Sequence, residues 1–255
     1  MQRARSVVSA LLTAGVVVLG LNLEAAVAFP QEYNSIVVIP GEFFSPAAIV
    51  IDAGESVTWV NTDTETHALM TVPGAPEAFA LQLSSGESAT HKFTRAGVYV
   101  YYCQNYATYD PQLQRVVAHK DTDAFPIAME GIVVVKGPGF AGGPSASINI
   151  SGGAFAPDIV VVQTGATVTW TNADTEQHDV TWAAVGSGWR GKRSVDAPLL
   201  NLEVGKGQTA TFATPGVYLF YCEHHTAYDA RLELAAAVKG THAFPVSMQG
   251  YVIVL

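Results

Sequence analysis

Gly216-Val217-Tyr218-Leu219-Phe220-Tyr221-Cys222 restates Gly97-Val98-Tyr99-Val100-Tyr101-Tyr102-Cys103 at a separation of 119 residues. The same separation carries Tyr109-Asp110 onto Tyr228-Asp229, Ala124-Phe125-Pro126 onto Ala243-Phe244-Pro245, and Met129 onto Met248. Upstream, Trp59-Val60-Asn61-Thr62-Asp63-Thr64-Glu65-Thr66-His67 returns as Trp170-Thr171-Asn172-Ala173-Asp174-Thr175-Glu176-Gln177-His178, at a separation of 111. The second copy therefore holds eight additional residues between these blocks, around 186–193. Repetition at this period divides the chain into two domains, 33–136 and 146–255. The stretch between them, 137–145, is rich in Gly and Pro and reads as a linker. Each half is long enough to bury a core of its own.

Both halves read as β. Polar and apolar residues alternate in Ser56-Val57-Thr58-Trp59-Val60 and in Thr167-Val168-Thr169-Trp170-Thr171, and each run ends on turn-forming Asn and Asp. Ile132-Val133-Val134-Val135 and Tyr251-Val252-Ile253-Val254 are continuous apolar runs, as a strand buried on both faces requires. Short strands bounded by Gly and Pro make an all-β sandwich or barrel. One short helix per half is expected in the loop before the last strand. Asp110 is placed to cap it, Pro111 to begin it, and Leu113, Val116 and Val117 to share a face. In the second half Asp229 caps 230–238, with Leu232, Ala235 and Ala236 as the stripe and Gly240 beyond the end.

Hydrophobic residues make up 49% of the 255, charged residues 14%, and the net charge is −9. This composition excludes a disordered chain, and no basic cluster beyond the first residues tracks nucleic acid. Arg3 and Arg5, the apolar stretch from Val7 to Leu23, and Ala26-Val27-Ala28 read as a secretory signal over 1–28, cleaved before Phe29. The rival reading is an uncleaved membrane anchor; no second candidate span follows it. The mature protein is then periplasmic or secreted, acidic, and without a stable span. Two cysteines in an exported chain invite a disulfide, but a Cys103–Cys222 bridge would need equivalent positions of separate sandwiches to meet within about 7 Å between Cα atoms, and the repeat argues against it.

The second half gathers metal donors. His178 follows the Asn172-x-Asp174 turn, Cys222 closes an aromatic strand, His225 stands at C-x-x-H spacing, and Met248 opens the last strand. One thiolate, two imidazoles and a thioether are soft and borderline donors of the kind copper selects. On these residues, together with Tyr221-Cys222-Glu223-His224-His225 and Met248-Gln249-Gly250, both halves resemble the cupredoxins, the plastocyanin and azurin family of blue copper proteins. The resemblance covers nearly the whole mature chain. It implies two tandem Greek-key sandwiches, one type 1 copper per chain, and one-electron transfer. His178, Cys222 and His225 would be equatorial ligands and Met248 the axial one. Most of the family has its Met a few residues after the second His, whereas 22 residues intervene here. Met248 as a core filler is the other reading. His224 is the rival of His225, and His242 on the long loop either approaches the metal or is solvated.

The first half lacks one donor. His67, Cys103 and Met129 are in place, but Tyr106 stands where His225 does and Asn105 where His224 does. A phenol with a pKa near about 10 ligates poorly at neutral pH. This half is then either a copper-free structural domain with a vestigial site, or a modified Cu(I) site using Met129 or His119. His91 is expected to face solvent, Trp59 and Trp170 to fill the two cores, and Trp182 and Trp189 to pack or dock near the extra segment. An electron carrier with basic-faced redox partners accounts best for a closed four-donor set and an acidic chain. A storage or assembly module is the alternative. A two-domain copper oxidoreductase is a further one, weakened because no H-x-H pair occurs.

Overall fold

The computed structural model describes residues 35–183, 199–229 and 234–255. All of them fall within one compact body, and among the described residues there is no helix. The expected signal over 1–28 and the extra segment with Trp189 lie outside the described residues.

The first repeat runs β1 (Ile36–Gly41), β2 (Phe43–Ser45), β3 (Ala48–Asp52), β4 (Ser56–Asn61), β5 (His67–Thr71) and β6 (Ala80–Leu83). It continues with β7 (Ser88–Lys92), β8 (Gly97–Cys103), β9 (Ala107–Asp110), β10 (Arg115–Ala118) and β11 (Glu130–Lys136). One sheet has the order β2-β1-β4-β7 and the other β3-β11-β8-β5-β6, with β1–β4 and β3–β11 parallel. The second repeat comprises β12 (Gly143–Ser151), β13 (Ala154–Ala156), β14 (Ile159–Asn172), β15 (His178–Trp182) and β16 (Leu200–Leu202). After these come β17 (Gly207–Phe212), β18 (Gly216–Tyr221), β19 (Thr226–Asp229), β20 (Leu234–Ala237) and β21 (Gln249–Val254). Here β14 serves both sheets. Its first residues pair with β21 and its last with β12 and β17, the tasks of β3 and β4 in the first repeat. The change of sheet falls at Gly54 (φ +97°) and Gly165 (φ +84°), a left-handed conformation that glycine adopts without a Cβ penalty.

The expected helices are β-hairpins. Asp110 does accept hydrogen bonds from the amides of Gln112 (2.8 Å) and Leu113 (3.1 Å), as a cap would. The turn it closes reaches Gln114 at φ 52°, which ends any helix, and β10 returns antiparallel with Val116 opposite Tyr109. Val116 and Ala118 are buried with period two, while Leu113, assigned to the helix stripe, is exposed. The β-branched pair Val116-Val117 suits this strand. In the second repeat β20 pairs with β19 over Ala235-Ala236-Ala237, so tertiary pairing overrides alanine's helix preference. Residues 230–233, with Leu232, lie outside the described residues.

Each repeat has an aromatic core at matching positions. Trp59 meets Tyr101 edge-on at 5.4 Å and 83°, and Trp170 meets Phe220 at the same distance and angle. Trp182 packs on Trp170 in that second core. His91 is half-buried against Phe79 and Phe93 rather than facing solvent, because its strand lies at the rim of this aromatic cluster. The apolar runs of β11 and β21 are explained by two partners. Val133, Val135, Val252 and Val254 face their own cores. Ile132, Val134, Tyr251 and Ile253 share a third cluster, in which the outer faces of the two repeats meet. Phe140, from the stretch read as a linker, joins it, and β12 begins within that stretch. Phe125 and Phe244, equivalent residues, touch edge-on at 5.7 Å, so like surfaces of the two repeats face one another.

Candidate metal centre

The second repeat builds its donor set from a turn, a strand end and a clamp. Asn172, at the end of β14, donates from Nδ2 to the carbonyls of Glu176 and Leu202, both at 2.8 Å, and its Oδ1 accepts from the Asp174 amide. That turn delivers His178 to the start of β15. Asp174 Oδ2 lies 3.2 Å from His178 Nε2. A carboxylate there holds the proton on Nε2 and leaves the Nδ1 lone pair free. Nδ1 is 3.7 Å from Cys222 Sγ. Past Cys222 the chain turns, with the amides of His225 and Thr226 donating to the Cys222 carbonyl, and His225 Nδ1 comes to 3.5 Å from the same sulfur. His178 and Cys222 are fully buried and His225 is 5% exposed.

Donor chemistry and spacing suit a metal ion. Bonds of about 2.3 Å to sulfur and about 2.0 Å to nitrogen place the two atoms about 3.5–3.8 Å apart at angles from tetrahedral to trigonal. Burial lowers the pKa of both His178 and His225, which favours the neutral imidazole that can ligate. Burial pushes the Cys222 thiol up to about 11, so the thiolate forms when a cation compensates it.

Met248 stays with this set despite the 22 intervening residues. Its carbonyl accepts from the Cys222 amide at 3.1 Å. Thr226 Oγ1 accepts from the Met248 amide (2.9 Å) and donates to its carbonyl (3.2 Å). The β19–β20 hairpin is thus extruded between two points that Thr226 ties together, and Met248 is fully buried in the cluster containing Cys222. His224 points elsewhere: it is 59% exposed and pairs with Asp179 at 3.4 Å. His242 lies with its ring 5.1 Å from that of His225.

Asp179 was not singled out by the sequence. It is buried, its Oδ1 accepts from the Glu223 amide at 2.9 Å, and its Oδ2 lies 3.7 Å from Cys222 Sγ. It couples β15 to the cysteine turn and sets a negative charge beside the sulfur. Its only sequence trace is an acid inside the strand His178-Asp179-Val180-Thr181-Trp182.

In the first repeat the frame is kept and the set is incomplete. His67 Nδ1 is 3.7 Å from Cys103 Sγ, its Nε2 is 3.1 Å from Asp63, and the Cys103 amide donates to the Met129 carbonyl. Tyr106 packs its ring on His67 at 5.2 Å and donates its hydroxyl to Glu65. Burial, and then the Glu65 carboxylate, raise its phenol further, away from a ligating phenolate. His119 turns to the Asn105 carbonyl. Among the described residues, His178, Cys222 and His225 converge as a metal-sized group and no such group arises in the first repeat.

A profile of the copper binding proteins of the plastocyanin/azurin family matches residues 41–109 and 145–234. The chain belongs to that family. It is a copper-binding cupredoxin, with one matched stretch in each repeat. Plastocyanin of Scenedesmus fuscus is 39% identical over 70 residues, covering 24% of this chain and 71% of that one. Chloroplastic plastocyanin of Tetradesmus obliquus is 40% identical over 70 residues, covering 24% of this chain but 48% of its own. Among solved structures, amicyanin from Paracoccus versutus is 25% identical over 40% of this chain and 79% of its own, with a TM-score of 0.29. A reduced tryptophan-to-tyrosine mutant of amicyanin is 22% identical over 40% and 80%, also at 0.29.

Proposed function

We propose that this cupredoxin is an exported carrier of single electrons, with one type 1 copper per chain in the second repeat. His178, Cys222 and His225 would hold it, with Met248, buried in the same cluster, as the thioether donor. The observation that carries this reading is the convergence of two imidazole Nδ1 atoms, at 3.5 and 3.7 Å, on one buried cysteine sulfur. Copper bound there supplies a one-electron Cu(I)/Cu(II) couple. The chain's own residues fix the geometry: Asp174 holds the His178 tautomer, Asp179 and Thr226 fix the cysteine turn, and burial keeps water from the donors. A pocket that needs little rearrangement suits electron exchange. The first repeat is a copper-free structural domain, with His67, Cys103 and Met129 as remnants of a site. The signal over 1–28 places the mature chain in the periplasm or outside the cell, where its acidic surface meets redox partners with basic faces.

Loading the full chain with copper tests this. We expect an intense thiolate-to-copper visible band and reversible uptake of one electron, with Met248→Leu keeping the colour and raising the potential. A colourless Cu(I) protein that resists oxidation would favour storage or delivery instead.

A further inference from the structure

His225 turns its Nδ1 inward to Cys222 and its Nε2 outward, to 3.6 Å from Glu176 Oε2. On that outer side His242, from the loop after β20, places Nδ1 3.4 Å from the same Glu176 oxygen. The three atoms lie within 4.8 Å of one another and open on a surface pocket lined also by Gln177, His224 and Thr241. We propose that Glu176 and His242 form a second metal site for a borderline divalent cation such as Zn2+ or Cu2+, which the outer nitrogen of His225 joins as a bridging imidazolate when its proton passes to solvent. Imidazole and carboxylate are the donors such ions take, and bonds of about 2.0–2.2 Å at a tetrahedral angle set two ligand atoms about 3.3–3.6 Å apart. His242 Nε2 faces Asp174 Oδ2 at 3.8 Å, the oxygen that also orients His178. A carboxylate behind the far nitrogen is the arrangement that turns a histidine's other nitrogen toward a metal. Glu176 (55% exposed) and His242 (39%) leave the remaining positions to water.

Comparison of the repeats gives an independent indication. The carboxylates persist in the first repeat as Asp63 and Glu65, but both imidazoles are gone, as Tyr106 and Asp123. Room for His242 exists because residue 153 is glycine: a Cβ there would stand 2.4 Å from His242 Nε2. The equivalent residue in the first repeat is Glu42, whose carboxylate accepts from the amides of Asp123 and Ala124. Beyond His225, the second repeat thus differs at two separated positions, 153 and 242, which together seat an imidazole beside Glu176.

This inference shares His225 with the proposed copper site, so the test separates the two. Zn2+ is titrated into the copper-loaded full chain, whose buried donors are already taken, and followed by calorimetry and by the visible band. We expect one Zn2+ per chain and a perturbed band. His242→Gln and Glu176→Gln should each weaken Zn2+ binding by more than about tenfold, the loss that follows from removing even a supporting partner of a metal ligand. Both side chains are exposed, so both variants should fold and keep the visible band. Absence of Zn2+ binding, or affinity unchanged in both variants, overturns the second site. Absence of the visible band overturns the copper reading; the buried donors are then open to Zn2+, and the loss of affinity in the two variants alone assigns its binding to the second site.

Discussion

The two repeats hold their histidine and cysteine alike, at 3.7 Å in each, and orient that histidine with the same aspartate of the same turn. They part in the cysteine turn and around it. His225 becomes Tyr106, Asp179 becomes Ala68, Thr226 becomes Ala107 and His242 becomes Asp123. The amide of Ala68 donates to Cys103 Sγ at 3.3 Å, whereas Cys222 has a carboxylate close by. The frame that positions donors is therefore common to both repeats, whether Tyr106 or His225 stands in the turn. It is built by backbone turns and buried aromatic packing that the sandwich needs in any case. The chemistry is added by a few side chains projecting from that frame.

If so, the missing donor can be restored. Asn105→His with Tyr106→His, in a full chain carrying Cys222→Ser, should raise copper from near zero to about one per chain and bring back a thiolate band. A folded, colourless, metal-free product would show that Ala68 or Ala107 matters as much as Tyr106. A smaller effect concerns protons. The Cys222 thiol, held at about 11 chiefly by burial, is protonated at neutral pH in the metal-free chain and would be ionised in the complex. The two imidazoles are already neutral because burial pushes them down. Binding thus expels one proton, and copper affinity should rise about tenfold per pH unit between pH 7 and 9. A flat profile, measured by competition with a chelator of known pH behaviour, would remove the thiolate from the account. The smallest effect is electrostatic. Asp179→Asn keeps the acceptor for the Glu223 amide and deletes a buried charge 3.7 Å from the sulfur. The potential should rise on the order of 100 mV. No change would mean that His224, 3.4 Å away, already neutralises that carboxylate.

Much of this was legible in the sequence because it is written in repeats and in short spacings. The Gly-to-Cys strand, the Asn-x-Asp turn and the C-x-x-H spacing fixed both sandwiches and placed His178, Cys222 and His225 side by side. The hairpin after Asp110 reads as a helix in sequence because a cap and a β-turn use the same first hydrogen bonds, and Gln114 at positive φ leaves no sequence signal. The second covered face of β11 was legible as an apolar run, but its partner, the other repeat, was not. Asp179, Glu176 and Gly153 carry no sequence signal since each acts through residues far away in the chain. The shared apolar face also decides how the comparison must be tested. Cutting the chain would expose Ile132, Val134 and Ile253, each worth about 1.5–3 kcal/mol when buried.

The most direct measurement is therefore made on two full-length variants, Cys103→Ser and Cys222→Ser, each loaded with copper and assayed for metal content and visible absorption. The asymmetry of the repeats predicts that Cys103→Ser keeps about one copper and the full thiolate band, while Cys222→Ser loses the band and the tightly held copper. Loss of the band in Cys103→Ser, or its survival in Cys222→Ser, would contradict the assignment of the working site to the second repeat.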